Sequence, residues 1–128
     1  MKISSYYPEF YYNDLDAALK SYTEDLGFKC LHCLDDGWVK LYVLELNGYR
    51  VDIFTSDREE LQMKDGYYGM HINVDDFEEG MKYYGDRGYK VELGPTESPS
   101  VKIAVLINDD GDRLFLYKHI KKEGYADK

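Results

Sequence analysis

Long apolar runs are missing from this chain of 128 residues. No stretch approaches the roughly 18 apolar residues that a membrane-spanning helix needs, so we expect no membrane insertion. The opening segment, Met1 to Ser5, lacks the charged and then apolar order of a secretion signal. We therefore expect a cytoplasmic protein.

Basic residues are outnumbered by acidic ones, and cysteine is scarce. The chain has 16 basic and 25 acidic residues and a net charge of −9, so it would repel the phosphates of nucleic acid. The same charge is compatible with a cationic ligand or partner. The two cysteines, Cys30 and Cys33, lie in a strand-like run in which side chains three apart face opposite ways. We therefore expect two ordinary reduced thiols instead of a disulfide or half of a zinc site.

One segment of the chain occurs twice. The first copy predicts a helix over residues 14–26, which Asn13 or Asp14 caps and Gly27 ends. The second copy, 62 residues further on, predicts a helix over residues 76–87. Both helices carry apolar residues at steps of three and four, which gives each one buried face. The repeat indicates two halves with the same architecture.

Alternating apolar residues predict eight strands around these helices. Asn47-Gly48 is a strong signal for a two-residue hairpin and places Val43 opposite Asp52. Pro8 cannot donate a hydrogen bond, so the first strand is predicted to lie at an edge or to direct the missing N–H outward. The predicted strands cover residues 6–12, 28–35, 38–46, 49–55, 67–75, 89–93, 101–107 and 113–119.

These elements form an α+β chain of two βαβββ modules. The modules cover about residues 4–55 and 67–120, and a polar connector covers residues 56–66. The last residues, 121–128, are polar, and we expect them to be frayed. We predict that residues 1–128 form a single domain. The modules pair either within one chain or across two.

The arrangement resembles the vicinal oxygen chelate superfamily, which includes the glyoxalase, bleomycin-resistance and extradiol dioxygenase proteins. The resemblance covers nearly the whole chain. It implies curled mixed sheets around a cupped site, and it implies a homodimer. The residues that carry it are Asn13 to Leu19, Tyr22, Asp25 to Phe28, Val51 to Phe54, His71 to Phe77 and Asp110 to Phe115.

The resemblance also implies metal ligands on the first and last strand of each module. Counting from the helix starts and from the hairpin glycines places these four positions at Tyr7, Asp52, Gly69 and Phe115. Only Asp52 is a good ligand for a divalent ion. The usual metal site is therefore predicted to be lost.

A displaced metal site is the alternative. Glu9 and His71 occupy equivalent positions in the two modules, each two residues further along its strand. Two residues along a strand restore the same face, so both side chains are expected to point into the cup together with Asp52. One imidazole and two carboxylates suit Zn, Ni, Mn or Fe.

Aromatic rings share the predicted cup face with these acids. Flat rings backed by carboxylates suit a planar cation, and drug-sequestering members of the superfamily bind cationic aromatic glycopeptides without a metal from the protein. The alternative is that the tyrosines are ordinary sheet residues. The predicted ligand-binding residues are Tyr7, Glu9, Tyr11, Asp52, Phe54, His71, Phe115 and Tyr117.

Three functions are compatible with this pattern. We favour a non-catalytic small-molecule-binding protein without a metal or other cofactor, which sequesters a cationic aromatic compound. The second is a metal-dependent lyase or isomerase of the glyoxalase type that uses Glu9, Asp52 and His71. The third is a structural or regulatory dimer whose cup is filled. The chain has neither a Ser-His-Asp order nor a nucleotide-binding glycine loop, so no catalytic residue is assigned.

Overall fold

The computed structural model describes residues 2–59 and 62–120. The part of the chain that it describes contains eight strands and two α-helices, and a short π-helical segment, Ser21–Asp25, extends the first helix. The elements are β1 Ile3–Tyr11, α1 Leu15–Lys20, β2 Lys29–Asp35, β3 Val39–Leu46, β4 Tyr49–Ser56, β5 Tyr68–Val74, α2 Phe77–Gly85, β6 Lys90–Glu97, β7 Val101–Ile107 and β8 Arg113–His119.

All eight strands form one mixed sheet in the order β2-β3-β4-β1-β5-β8-β7-β6. In each half the first strand pairs in parallel with the last, β1 with β4 and β5 with β8. The halves join through the antiparallel pair of β1 and β5. The two βαβββ units therefore pair within this chain, and the predicted α+β class is confirmed.

The two helices cover the outer face of the sheet, one for each half. Leu15 of α1 is buried with Leu44, Val51 and Ile53. In the second half, the equivalent Phe77 of α2 is buried in a separate outer cluster. Full burial of such a side chain stabilises the fold by roughly 1.5–3 kcal/mol. The repeated apolar stripe thus explains why each helix lies against its own half.

The helix ends follow the sequence pattern. The Asp14 carboxylate accepts a hydrogen bond from the Ala17 N–H at 3.1 Å, and the Asp76 carboxylate does the same for Glu79 at 3.0 Å. Each cap satisfies an N–H group that the first helical turn leaves without a partner. The first helix is predicted as one α-helix, but its α-helical part ends at Lys20 and the π-helical segment follows.

The inner face of the sheet is a core that both halves share. Its aliphatic and aromatic side chains come from strands of each half. At the far end of the sheet, the Ser100 N–H donates to the Asp36 carboxylate at 2.9 Å, and the Ser100 hydroxyl donates to it at 3.2 Å. These bonds join the β6–β7 turn to the β2–β3 turn, so the curled halves meet there. The cluster contains Tyr11, Leu34, Val39, Leu41, Val43, Phe54, Val101, Ile103, Val105, Phe115 and Tyr117.

The hairpin between β3 and β4 has the predicted register. Asn47 and Gly48 both have positive φ, at 53° and 88°, as a two-residue turn of this kind requires. Val43 consequently lies opposite Asp52. This register turns Asp52 towards the inner face.

The sequence predicts that the first strand lies at an edge of the sheet or directs the missing N–H of Pro8 outward, and the edge position is wrong. The strand lies in the middle of the sheet between β4 and β5 and not at an edge. Its pairing with β4 begins at Glu9, the residue that follows Pro8. A proline is tolerated in this central strand because the ladder to β4 does not include it.

The two cysteines face the same way, contrary to the prediction from a regular strand. The pairing of β2 with β3 shifts between Cys30 and His32, so Leu31 is an extra residue. As a result Cys30 lies opposite Leu44 and Cys33 opposite Tyr42, two residues of the same face. A bulge shifts the alternation by one residue, which the sequence spacing does not reveal. Both thiols are free and exposed.

Three further predictions concern boundaries. Strand β6 continues to Glu97, whereas the sequence predicts a loop from residue 94. The predicted frayed tail, 121–128, and residues 60–61 of the connector lie outside the described residues.

In the described part of the chain, no helix has the length and apolar character needed to cross a membrane.

Candidate functional site

Three neighbouring strands bring the acidic and imidazole groups of the inner face together. Glu9 of β1 is the parallel partner of Asp52 on β4. On the other side of β1, His71 of β5 lies opposite Tyr7, two residues from Glu9. Since side chains two apart share a face, all of these groups point to the same side of the sheet. The register of β1 thus assembles the centre.

The central triad consists of Glu9, Asp52 and His71. One potential ligand atom from each residue lies within 4.8 Å of the others. All three residues have 0% relative exposure. The closest contact joins His71 Nδ1 to Glu9 Oε1 at 2.8 Å. The structure therefore brings together the three residues of the predicted displaced metal site.

Two tyrosines hold the imidazole and the glutamate in place. The rings of Tyr7 and Tyr117 stack on His71, with centroid distances of 4.4 and 4.0 Å. The Tyr117 hydroxyl donates to Glu9 Oε2 at 2.6 Å. The Tyr7 hydroxyl lies 3.3 Å from His71 Nε2. Stacking and hydrogen bonds together fix the orientation of both groups, as the surroundings of metal ligands commonly do.

Arg50 is a member of this centre that is missing from the predicted site. Its Nε donates to Asp52 Oδ1 at 3.1 Å, and a terminal nitrogen donates to the Tyr7 hydroxyl at 2.7 Å. The guanidinium lies 3.7 Å from the centroid of the Tyr7 ring. The signal was present in the sequence, because Arg50 lies two residues before Asp52 and hence on the same face.

Burial shifts the protonation of both carboxyl groups. It raises the pKa of Glu9 to about 8, although the Tyr117 hydrogen bond and the Arg50 charge act in the opposite direction. Burial also raises the pKa of Asp52 to about 7, with a further contribution from the charge of Glu9, against the lowering effect of Arg50. The pair therefore retains protons near neutral pH, and a bound cation would displace them.

The remaining predicted ligand residues form an aromatic cluster beside the triad. Tyr11 contacts Phe54 edge to face at 5.4 Å, and Phe54 contacts Phe115 in the same way at 5.5 Å. Each of the three is at most 1% exposed. Their rings pack in the inner core, and the Tyr11 hydroxyl donates to Asn13. Ligand binding by these rings stays a prediction.

Among the eight predicted ligand residues, Tyr7 lines a surface cavity of the described chain. That cavity lies between β1 and β4 and has a volume of about 550 Å³. Arg50 also lines it. These two residues therefore connect the surface with the triad.

The position equivalent to Tyr7 in the second half cannot carry a side chain without rearrangement. This residue is Gly69, and a Cβ placed on it would lie 3.0 Å from both the Cβ and the carbonyl oxygen of Arg113. Such distances are tighter than ordinary packing allows. The close approach of β8 thus accounts for glycine at a position where metal-using relatives are expected to carry a ligand.

The fold and the centre together define a class of protein: paired βαβββ units with carboxylate and imidazole groups on the inner face. The sequence model of the Glyoxalase/Bleomycin resistance protein/Dioxygenase superfamily matches residues 7–115. The chain belongs to this superfamily.

Solved structures share the fold at low sequence identity. A hypothetical protein from Bacillus halodurans C-125 is 19% identical with a TM-score of 0.61, and the match covers 94% of this chain and 95% of the other. Methylmalonyl-CoA epimerase from Mycobacterium tuberculosis is 15% identical with a TM-score of 0.58, over 88% and 85% of the two chains.

A third structure is a superfamily member from Vibrio splendidus 12B01. It is 17% identical with a TM-score of 0.52, over 91% of this chain and 99% of the other. A comparison with curated proteins finds no match. At these identities the solved structures support the fold and carry no statement about activity.

Proposed function

We propose that this chain is a metal-dependent member of its superfamily that holds one divalent cation with Glu9, Asp52 and His71. The observation that carries the proposal is the convergence of these three side chains, from three strands, within 4.8 Å. Part of the centre is a pair of adjacent buried carboxyl groups with raised pKa values. Such a pair favours a cation because burial opposes uncompensated negative charge.

The residues present fit such an ion. One imidazole and two carboxylates are a suitable donor set for Zn, Mn, Fe or Ni. A carboxylate has about four lone-pair sites, so Asp52 can ligate an ion and still accept from Arg50, and Glu9 can do so while accepting from Tyr117. Three protein ligands leave coordination positions for water or a substrate.

The chemistry proposed for this centre is that of a lyase or isomerase. A bound divalent ion supplies a Lewis acid that polarises oxygen atoms of a substrate. The chain itself positions the groups around it. Tyr7 and Tyr117 hold the imidazole plane between their rings, and Arg50 holds the carboxylate of Asp52.

Metal-free binding of a cationic aromatic compound is the second candidate function. The buried carboxyl groups adjoin a set of aromatic rings on one face, and these are the groups that bind planar cations. However, Arg50 already lies over the Tyr7 ring and pairs with Asp52. The chain thus supplies a cation of its own at the place that an organic cation would take, so the metal is favoured.

Elemental analysis of protein purified without chelator tests the first function. A thermal-shift series with Mn, Ni and Zn should show stabilisation of the wild type, because an ion that binds only the folded state stabilises it. His71→Ala should abolish both the bound ion and the shift. The control is His32→Ala, at a histidine on β2, the edge strand furthest from β1 in the first half.

The same series separates the two functions. If the His71→Ala variant binds the ion as well as the wild type does, the assignment of the metal centre is contradicted. If no ion binds and a bleomycin-like cation instead binds saturably, with an affinity that falls as salt rises, the second function would replace the first. The predicted homodimer is tested on the same samples by light scattering after size-exclusion chromatography.

A further inference from the structure

The two cysteines are neighbours on the outer face of β2, an edge strand of the sheet. The bulge at Leu31 places Cys30 opposite Leu44 and Cys33 opposite Tyr42. Leu44 belongs to the outer cluster of the first half, and Tyr42 packs against it. Both thiols are exposed. The Cys-x-x-Cys spacing therefore gives two adjacent side chains on one face, and the reason for expecting two unrelated thiols no longer holds.

The Cys30 thiol is directed along the strand towards Cys33. Its Sγ donates a weak hydrogen bond to the carbonyl oxygen of His32 at 3.7 Å, and this carbonyl belongs to the peptide bond that precedes Cys33. The residues opposite the two cysteines are two positions apart on β3, so the cysteine Cα atoms are separated by about 6.6–6.8 Å.

This separation suits a bridging ion better than a disulfide. A disulfide holds its Cβ atoms about 3.8 Å apart and its sulfurs about 2.05 Å apart. Side chains on one face of a strand stand roughly parallel, so the Cβ atoms of Cys30 and Cys33 are nearly as far apart as their Cα atoms. Two metal–sulfur bonds of about 2.3 Å each connect sulfurs that are up to about 4.6 Å apart.

The protonation of Cys33 also favours an ion over thiol oxidation. Partial burial raises the pKa of the Cys33 thiol, against the lowering effect of the Lys40 charge. A thiol with a raised pKa carries little thiolate at neutral pH, whereas redox-sensing cysteines have a low pKa. A metal ion, in contrast, displaces the proton when it binds.

The number of ligands selects the class of ion. Among the residues that the structure describes, Glu9, Asp52 and His71 are the one group of three His, Cys, Asp or Glu side chains whose ligand atoms lie within 4.8 Å of one another. The two cysteines form no such group with a third residue. A structural zinc site needs four protein ligands, whereas Cu(I) is a soft ion that thiolates select and that accepts two of them.

We propose that Cys30 and Cys33 form a two-thiolate site for a soft monovalent cation, Cu(I), on the outer face of β2. On binding, each thiol releases its proton to solvent and forms one bond to the cation, without a change in oxidation state. The site is separate from the triad, which lies on the inner face of β4, β1 and β5, at least two strands away. It is therefore independent of the proposed metal-dependent function.

Anaerobic titration of the reduced full chain with Cu(I) tests the proposal. Bicinchoninate competes for the ion, and the colour of its Cu(I) complex reports how much the protein has taken up. We expect one tightly bound Cu(I) per chain, thiolate-to-copper absorption in the ultraviolet, and two sulfur neighbours in X-ray absorption. Cys30→Ser and Cys33→Ser should each lower the affinity at least about a hundredfold, because one thiolate alone lacks the effective concentration of the second.

Two variants of His32 test the geometry. His32→Ala should change the Cu(I) affinity less than about twofold, since this side chain lies opposite Val43, on the other face of β2. The double variant His32→Cys with Cys33→Ser keeps two thiols but moves one of them to that other face. It should lose as much affinity as Cys33→Ser alone. Circular dichroism verifies the fold of every variant.

The outcomes separate this site from the triad and from a disulfide. Cys30→Ser should leave Mn²⁺ binding unchanged if the triad holds that ion. A reduced wild type without tightly bound Cu(I), or equal affinity in the wild type and Cys30→Ser, would overturn the proposal. Full affinity in the double variant would overturn it too, because the two faces would then be assigned wrongly. Reduced protein that oxidised glutathione converts to an internal disulfide, and that binds no Cu(I), would replace the ion site with a redox pair.

Discussion

Replacement of Glu9 by glutamine should reduce the loss of stability that the metal-free protein suffers as pH rises. The Glu9 pKa is raised from 4.5 to about 8 in the folded state by burial. Between these values the folded chain keeps a proton that the unfolded chain releases, so the free energy of unfolding falls as pH rises. Glutamine cannot ionise and should remove this loss.

The magnitude follows from the linkage relation. One such group costs about 1.4 kcal/mol per pH unit, so the wild type should lose on the order of 3 kcal/mol between pH 5.5 and 7.5. For a chain of this size the loss corresponds to a fall in Tm of roughly 10 °C. Asp52, whose pKa is raised to about 7, contributes in the same direction over the lower part of this range.

Thermal unfolding monitored by circular dichroism in the presence of a chelator measures this effect. Glu9→Gln should match the wild type near pH 5 and exceed it at pH 8. The control is Glu97→Gln, at an exposed glutamate of β6, which should follow the wild-type curve. Parallel curves for the wild type and Glu9→Gln across this range would refute the argument that burial keeps Glu9 protonated.

Two further substitutions test the surroundings of the centre and the lost ligand position. Tyr117→Phe removes the 2.6 Å hydrogen bond to Glu9 and should weaken metal affinity about 10- to 100-fold in calorimetric titration; an unchanged affinity would contradict the role of this hydroxyl. Gly69→Ala should destabilise the protein by about 1–3 kcal/mol in urea unfolding, because the new Cβ would lie 3.0 Å from Arg113. Its control, Gly85→Ala in α2, meets nothing within 4 Å and should be neutral or stabilising by up to about 1 kcal/mol.

Local patterns in the sequence predict the architecture well. The helix caps and the Asn47-Gly48 hairpin depend on residues that are close in sequence, and the structure has them as predicted. The repeat adds long-range information, because it makes Glu9 and His71 equivalent. Their contact across the β1–β5 pair therefore follows from the pattern of two halves and not from any local signal.

Other features depend on packing between distant segments and could not be predicted in this way. The bulge at Leu31 changes the face of Cys30, but the strand pattern of β2 shows no sign of it. The close approach of β8 explains Gly69 only after the sheet is assembled. The role of Arg50 depends on its distance from Tyr7 and Asp52, and alternation alone gives only its face.

The most direct test of the metal centre is anomalous diffraction from crystals soaked with Mn²⁺ or Zn²⁺. We expect a single strong anomalous peak within about 2.0–2.3 Å of ligand atoms of Glu9, Asp52 and His71, and no peak at this place in crystals of His71→Ala. A wild-type crystal in which the triad keeps the 2.8 Å contact between His71 and Glu9, with no anomalous peak beside it, would contradict the account.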